Sequence, residues 1–489
     1  MKGSLSVAVV CRIFANLCAV ATAFISIRLY NLYVSKEVYG TILVGLQIMG
    51  YLPFMHGGFR MVINQQMLAE PHPASVAATA RFGQALQSYF LLVVMLGGMI
   101  IMVCYTQLPS ARALGLPFPL FLLLAIAAAA SFHAGGQLAL LVAMGEQVKS
   151  SLVQSLWGLT GLFALWGSFA LGWGVWAFPV SSGMSALATL LCVQIVLWQS
   201  SQKLPLLIWH LEKDFWDRFK KIWRPAVDCL HNQVVTLMIF TLDLIFVGIL
   251  VGPGAATVYG IVSRMMGISR QVLQSLSEAA WPRLTQELDG DRKAQMMRKV
   301  DRLNAWIVGC WYGAMAATLS AFLHWLVKSD WVAGTFLINL ILCRSFVISL
   351  ISPHAYGLLS LGRFKDLARL TQREVIIAVI CGIILSYIVG AMGIAAAFLL
   401  ATLAVTSWQF TKEYFRSANE THWLAEWSAV WIRAVIGVAL SLGISAGLWW
   451  LERSSFSAPG WAAMLAGGVG FGLPVGLVVI AWRLAGRVP

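Results

Sequence analysis

Residues 225–260 read PAVDCLHNQVVTLMIFTLDLIFVGILVGPGAATVYG. Positions 225–250 are apolar enough, and long enough, to cross the roughly 30 Å hydrocarbon core of a bilayer as a helix. A tight turn at 251–254 ends that stretch, and Val258-Tyr259-Gly260 follows as the next apolar run begins. Residues 5–40, LSVAVVCRIFANLCAVATAFISIRLYNLYVSKEVYG, are built the same way: a long span, a turn at 34–37, then Val38-Tyr39-Gly40. A second echo lies downstream in each half. Gly145 opens a turn that leads to Gly172-Trp173-Gly174-Val175-Trp176, and Gly362 opens one that leads to Gly390-Ala391-Met392-Gly393-Ile394. The chain therefore reads as a duplication, with spans 1–6 repeated as spans 7–12. An even number of spans in each copy leaves both in one orientation, as parallel repeats about an axis along the membrane normal.

Composition extends this reading to the whole chain. Hydrophobic residues make up 59% and charged residues 11%, and mean hydropathy is +0.79, against roughly a quarter charged in an ordinary soluble domain. Backbone groups in lipid must be satisfied internally, and the runs are too long for barrel strands, so an all-α polytopic membrane protein is expected. About fourteen spans are expected, near 5–33, 38–62, 82–105, 117–144, 150–171, 174–199, 225–250, 255–280, 303–327, 331–360, 367–388, 391–414, 428–450 and 460–482. The organisation is an N-lobe at 1–200, a linker at 201–224, a C-lobe at 225–415, and two extra spans at 416–489. In the linker, Ile208, Leu211, Phe215, Phe219 and Ile222 share a helical face opposite Lys213, Asp217, Lys220 and Arg224. That pattern predicts an amphipathic helix on the cytoplasmic leaflet. In the last span, Gly468, Gly472 and Gly476 permit close helix packing.

A net charge of +14 could indicate nucleic acid, but its distribution decides otherwise. Of the 34 Lys and Arg residues, 23 fall on one side of the predicted topology and four on the other. This asymmetry places both termini of a multi-pass membrane protein in the cytoplasm. The eight cysteines lie in apolar segments without metal-ligand spacing. No phosphate-binding G-x-x-x-x-G-K-[ST] loop exists, which argues against ATP hydrolysis by this chain. The short outward loops provide no scaffold for catalysis, so no enzymatic activity, cofactor or metal is expected.

Seven arginines remain inside the predicted spans, where an ionisable group is costly unless it faces a partner or a wet cavity. Arg12 and Asn16 share a face of span 1. Arg28 points about 160° away from Arg12 on a straight helix, and snorkels near the outer surface. On span 8, Gly260, Ser263, Gly267, Arg270, Gln274 and Ser277 form one polar stripe, with Arg264, Gln271, Ser275 and Glu278 beside it. Arg264 and Arg270 fall roughly 13 and 22 Å below the outer surface and Arg344 of span 10 about 20 Å, bracketing the midplane. Arg60 lies nearer the cytoplasmic end of span 2. Arg12, Asn16, Arg60, Arg264, Arg270, Gln274 and Arg344 are therefore candidate contacts for a phosphate or pyrophosphate, which guanidinium grips through paired hydrogen bonds. Pairing with helix carbonyls or Glu278 is the structural alternative. Asp228, Asp243 and Glu278 are candidates for coupling to Na+ or H+; for Asp243 a salt bridge to an arginine of span 8 is equally open. His56, His133, His231 and His354 are weaker candidates. The first lobe has no carboxylate within a span, which disfavours an exporter of cationic drugs. Pro53, Pro179 and Pro353 fall inside spans, where proline bends a helix.

Three passages resemble the multidrug/oligosaccharidyl-lipid/polysaccharide exporter superfamily, in its branch of lipid-linked oligosaccharide flippases for O-antigen and exopolysaccharide. They are Arg28-Leu29-Tyr30 through Val38-Tyr39-Gly40 to Gly57-Gly58-Phe59-Arg60, then Ser277-Glu278-Ala279-Ala280-Trp281-Pro282-Arg283-Leu284, and Gly362 with Gly393-Ile394-Ala395-Ala396-Ala397. The resemblance implies a V-shaped pair of six-helix lobes that carries an undecaprenyl-pyrophosphate-linked glycan from the cytoplasmic to the periplasmic leaflet by alternating access. It also implies membrane lipids and other polysaccharide-assembly proteins as partners, and no nucleic acid. A cation-coupled multidrug antiporter is the first alternative. Lipid II is the less favoured cargo, because Arg28 is followed by Leu29 and not by an aspartate. A membrane-embedded glycosyltransferase or polymerase is the remaining one.

Overall fold

The computed structural model describes residues 4–49, 51, 54–69, 73–107, 112, 114–144, 146–199, 205, 207–208, 214–286, 290–417 and 422–452. Among these residues the chain is helical, with no strand. In order, the helices are α1 (Ser4–Tyr33), α2 (Lys36–Met49), α3 (Phe54–Ala69), α4 (Pro73–Thr106), α5 (Phe118–Ala143), α6 (Gln147–Ala170), α7 (Ala177–Gln199) and α8 (Phe215–Phe246). They continue with α9 (Pro253–Gln286), α10 (Gly290–Leu326), α11 (Thr335–Ser360), α12 (Phe364–Val389), α13 (Ala391–Ala404), α14 (Thr406–Ser417) and α15 (Trp423–Glu452). Ten segments among the described residues are long and apolar enough to span a membrane, so the chain is a multi-pass membrane protein. The polar helix α9 is not one of those ten. The expected last span, with its glycine repeat, lies outside the described residues.

The duplicated words found in the sequence are turn and packing signals. Gly362 follows the last turn of α11 with a φ of +69°; the Gly362 and Arg363 N–H groups donate back to the Leu359 and Leu358 carbonyls and close the helix. Gly390, at φ +60°, reverses the chain between α12 and α13. Tyr39 and Tyr259, the tyrosines of the repeated triplets, are both almost fully buried. Each anchors the second helix of its half.

The described chain divides into two units, Met1–Leu237 with Gly252–Ala256, and Met238–Val251 with Thr257–Pro489. The division falls within α8 rather than in a linker ahead of it. The reason is visible in the packing of the first half of α8. Phe215, Ile222, Ala226 and Cys229 are buried in a core with Phe59, Ile63, Phe82 and Leu86 of α3 and α4. Phe219 stacks on Phe59 with ring centroids 5.4 Å apart. The apolar face expected to lie on the leaflet is thus covered by protein, because α3 and α4 present matching aromatic rings. Its upstream part, from 201 to 213, falls mostly outside the described residues. Trp216 and Trp223 stay exposed, Trp223 at the edge of this cluster with its ring 5.7 Å from that of Phe59, and Pro225 sits inside the helix without ending it.

In the first unit α1 packs along α6, and α5, α6 and α7 pack on one another. Tyr30 stacks on Phe178 at 4.6 Å. In the second unit α10 lies along α15, the first of the two extra spans. Gly309 and Gly313 make this approach possible: a Cβ on either would fall 2.3 Å from the Ala434 carbonyl oxygen or 2.5 Å from that of Val438. The extra span is therefore part of the second unit's core. Large apolar side chains such as Phe163, Trp166, Leu191, Ile384 and Tyr387 are exposed in the isolated chain, as expected of a surface that faces lipid.

Two of the three prolines predicted to bend spans are now placed. Pro179 occupies the first turn of α7, where its missing N–H has no partner to lose. Pro353 lies well inside α11. Around Pro53, itself outside the described residues, span 2 is two helices, α2 and α3.

Candidate functional site

The buried charges of the second unit converge. Asp243 sits near the end of α8, and its Oδ2 accepts from Arg344 Nη1 at 2.6 Å and from the Tyr259 hydroxyl at 2.8 Å. Its Oδ1 accepts from the Leu244 N–H at 2.8 Å. The other arm of Arg344 donates to the Ile239 carbonyl, and the guanidinium lies 4.8 Å over the Phe398 ring. Both charged side chains are nearly inaccessible, at 5% and 4% exposure. Such a pair is retained only when hydrogen bonds satisfy its remaining atoms, and Tyr259 of the repeated triplet supplies one of them. Immediately after Asp243 the backbone of α8 relaxes into a π-helical turn at Val247–Val251. The salt bridge left open for Asp243 exists, but its arginine comes from span 10, not span 8.

Arg270 of α9 is the second cation of this group. It lies 4.4 Å from the Phe240 ring centroid and within electrostatic reach of Arg344, Asp243, Tyr259 and Tyr312. Asp243 neutralises Arg344, so Arg270 adds positive charge beside a balanced pair. Unlike Arg344 it is only half-buried, as is Gln274 one turn on, and Arg264 is exposed. These three residues point outward from α9 while Met265, Met266, Ser269 and Leu273 of the same helix are buried.

In the first unit, Arg60 is half-buried on α3. Two residues before it, a Cβ on Gly58 would come within 2.2 Å of the Ala226 carbonyl oxygen, so α3 crosses α8 at close contact there. Arg12 and Asn16 lie on α1, with their side chains outside the described residues. Arg28 is exposed and Asp228 half-buried. The Glu278 side chain lies outside the described residues. His133 is a core histidine whose ring meets the Gln137 amide at 3.3 Å.

Two polar sites escaped sequence reasoning. Glu374 of α12 is buried and accepts from the hydroxyls of Thr402, at 2.5 Å, and Thr406. Those threonines flank the break between α13 and α14 at Val405. A carboxylate inside the predicted span 367–388 was the available signal. The second is Asp301 of α10, whose Oδ2 lies 3.2 Å from His354 Nε2 of α11. Asp301 stands just ahead of the predicted span 303–327, outside the stretch expected to hold buried charges. Among the described residues no cluster of His, Cys, Asp and Glu could hold a metal ion, and all eight cysteines are free.

Known structures were compared with this arrangement. The lipid II flippase MurJ in an inward closed conformation superposes with a TM-score of 0.68 and 12% identity, over 98% of this chain and 99% of the flippase. The fold is shared with that flippase structure along nearly the whole of both chains. An inward-facing multidrug resistance MATE transporter of the MOP superfamily matches with a TM-score of 0.57 and 13% identity, over 88% of this chain and 98% of that one. The Vibrio cholerae MATE transporter VcmN in its bent form matches at 0.52 and 10%, over 90% and 98%. No protein-family model matches the sequence, and no curated protein does. The fold is thus shared across most of the chain at 10–13% sequence identity.

Proposed function

We propose that this protein is a flippase that moves an undecaprenyl-pyrophosphate-linked oligosaccharide from the cytoplasmic to the periplasmic leaflet of a bacterial inner membrane by alternating access. The observation that carries this reading is the polar face of α9, where Arg264 is exposed and Arg270 and Gln274 are half-buried, with Arg270 adding positive charge beside the Asp243–Arg344 pair. Guanidinium groups at membrane depth suit a pyrophosphate. Arg12, Asn16 and Arg60 are further candidate anion contacts by their place in the sequence, while Arg344 holds Asp243 and Tyr259 and so orients the group rather than gripping cargo. The fold of a lipid II flippase supports a lipid-linked substrate, and lipid II itself remains the alternative cargo.

An antiporter of cationic drugs is the second reading, favoured by the MATE-like fold and by Glu374. Against it stands Asp243, whose charge is already met by Arg344. Arg270→Ala should abolish export of the glycan and leave protein level and melting temperature near wild type. The test measures complete lipid-linked repeat units on the cytoplasmic face of cells carrying the variant, using an impermeant glycan-modifying enzyme. Normal lipid-linked pools with raised sensitivity to cationic drugs would overturn the flippase and favour the antiporter.

A further inference from the structure

The contact between α10 and α11 combines a helix bend with a buried acid–base pair. Pro353 has no N–H for the Ser349 carbonyl, and in an unbroken membrane helix such an acceptor must find another donor. Asn304 of α10 provides it: its Nδ2 donates to the carbonyls of Ser349 and Leu350, both at 3.1 Å. The Ser352 hydroxyl adds a bond to Ser349 O at 3.0 Å, and the Tyr312 hydroxyl lies 3.1 Å from Ser349 Oγ. Beside this repaired bend, His354 Nε2 faces Asp301 at 3.2 Å, with 1% and 5% exposure. His354 Nδ1 lies 3.5 Å from the Thr411 hydroxyl of α14.

We propose that His354 and Asp301 form a proton-binding site that sets the bend of α11 at Pro353. With the imidazole neutral, Nε2 stands 3.2 Å from Asp301 without a hydrogen bond and Nδ1 accepts from Thr411, and the pair carries one negative charge in a buried setting. Uptake of one proton at Nδ1 makes the pair neutral and leaves both ring nitrogens as donors. The Thr411 hydroxyl must then turn from donor to acceptor, so the contact of α11 with α14 changes as the charge does. A buried, unmatched carboxylate is costly, and this proton is the nearest means of matching it.

The surroundings leave His354 as the group that responds. On α10, Arg298 reaches Glu426 of α15 at 3.5 Å, while Lys299 and Arg302 are exposed. On α14, Tyr414 and Phe415 pack on the imidazole. Lys412 lies over the rings of Trp408 and Trp423, and Glu413 pairs with Arg416 at 4.0 Å. On α12, Glu374 is held by Thr402 and Thr406, and α13 has no ionisable residue. On α9, Ser277 reaches Ser352 at 3.4 Å, and the side chain of Glu278 lies outside the described residues.

The test needs no cargo and is therefore separate from the flippase reading. Full-length protein labelled at its eight histidines is titrated in detergent from pH 5 to 8 by NMR, alongside hydrogen exchange of backbone 349–357 corrected for the intrinsic rate. One ring signal, identified by its loss in His354→Gln, should titrate in this range. Protection of 349–357 should change with the same midpoint, and this pH dependence should be lost in His354→Gln and Asp301→Asn. Constancy of that ring signal from pH 5 to 8 in the wild type overturns the proposal, and needs no variant to fold. A pH profile of protection that survives in a monodisperse His354→Gln protein overturns it equally.

Discussion

Replacing Arg344 with methionine isolates the ion pair at the centre of the second unit. Arg344 and Asp243 are both nearly inaccessible, with 2.6 Å between Nη1 and Oδ2. At an effective dielectric of about 20, unit charges ~4 Å apart attract by ~4 kcal/mol. Much of that attraction only offsets the desolvation of the two ions, so the pair itself is close to neutral for stability. Breaking it is not neutral, because Asp243 would keep its charge with only Tyr259 and the Leu244 N–H to hold it. A loss of about 3–5 kcal/mol is expected for Arg344→Met, and a similar one for Asp243→Leu. The double variant should lose clearly less than the two singles together, with a coupling energy at or above the upper end of the ~0.5–3 kcal/mol range of contacting residues. Unfolding of the purified variants in mixed detergent and SDS micelles measures all three. Additive losses in the double variant, or wild-type stability in Arg344→Met, would refute the argument that Asp243 depends on this partner.

Three further outcomes follow from contacts already described. Gly309→Leu should push α15 off α10, since even a Cβ would sit 2.3 Å from the Ala434 carbonyl oxygen; a loss of about 1–3 kcal/mol is expected, read as a fall in melting temperature that Gly443→Leu, in open space, does not share. Asn304→Leu leaves the Ser349 and Leu350 carbonyls short of a donor and should cost about 1–3 kcal/mol. Adding Pro353→Ala restores an N–H to Ser349, so the double variant should recover part of that loss in the same unfolding assay. At the start of α8, the Arg218 Nε–H donates to Asp214 at 2.6 Å, and this bond holds the exposed carboxyl below its ordinary value. A lowered carboxylate stabilises the folded helix end above the unfolded value near pH 3.9 and loses that contribution as pH falls through the folded value. Hydrogen exchange of residues 215–220 should therefore quicken below about pH 4 in the wild type relative to its own intrinsic rate, and Arg218→Ala should flatten that change.

Membrane insertion was legible from the sequence because it is a property of local composition. A run of twenty apolar residues needs no tertiary information to be a span, and the tyrosines of Val38-Tyr39-Gly40 and Val258-Tyr259-Gly260, the words that suggested a repeat, are both buried near the start of a helix. Arg270 and Gln274 were legible as the polar stripe of α9, since helical periodicity alone puts them on one face. What tertiary structure decided were the partners. Asp243 and Arg344 stand 101 positions apart, Asp301 and His354 belong to different helices, and no local pattern says which arginine meets which acid. The same holds for the linker: its amphipathic face was expected on the leaflet, and in the described part Phe59 and Phe82 cover it instead. Hydrophobic periodicity reports that a face leaves water, and only the assembled helices determine what it meets.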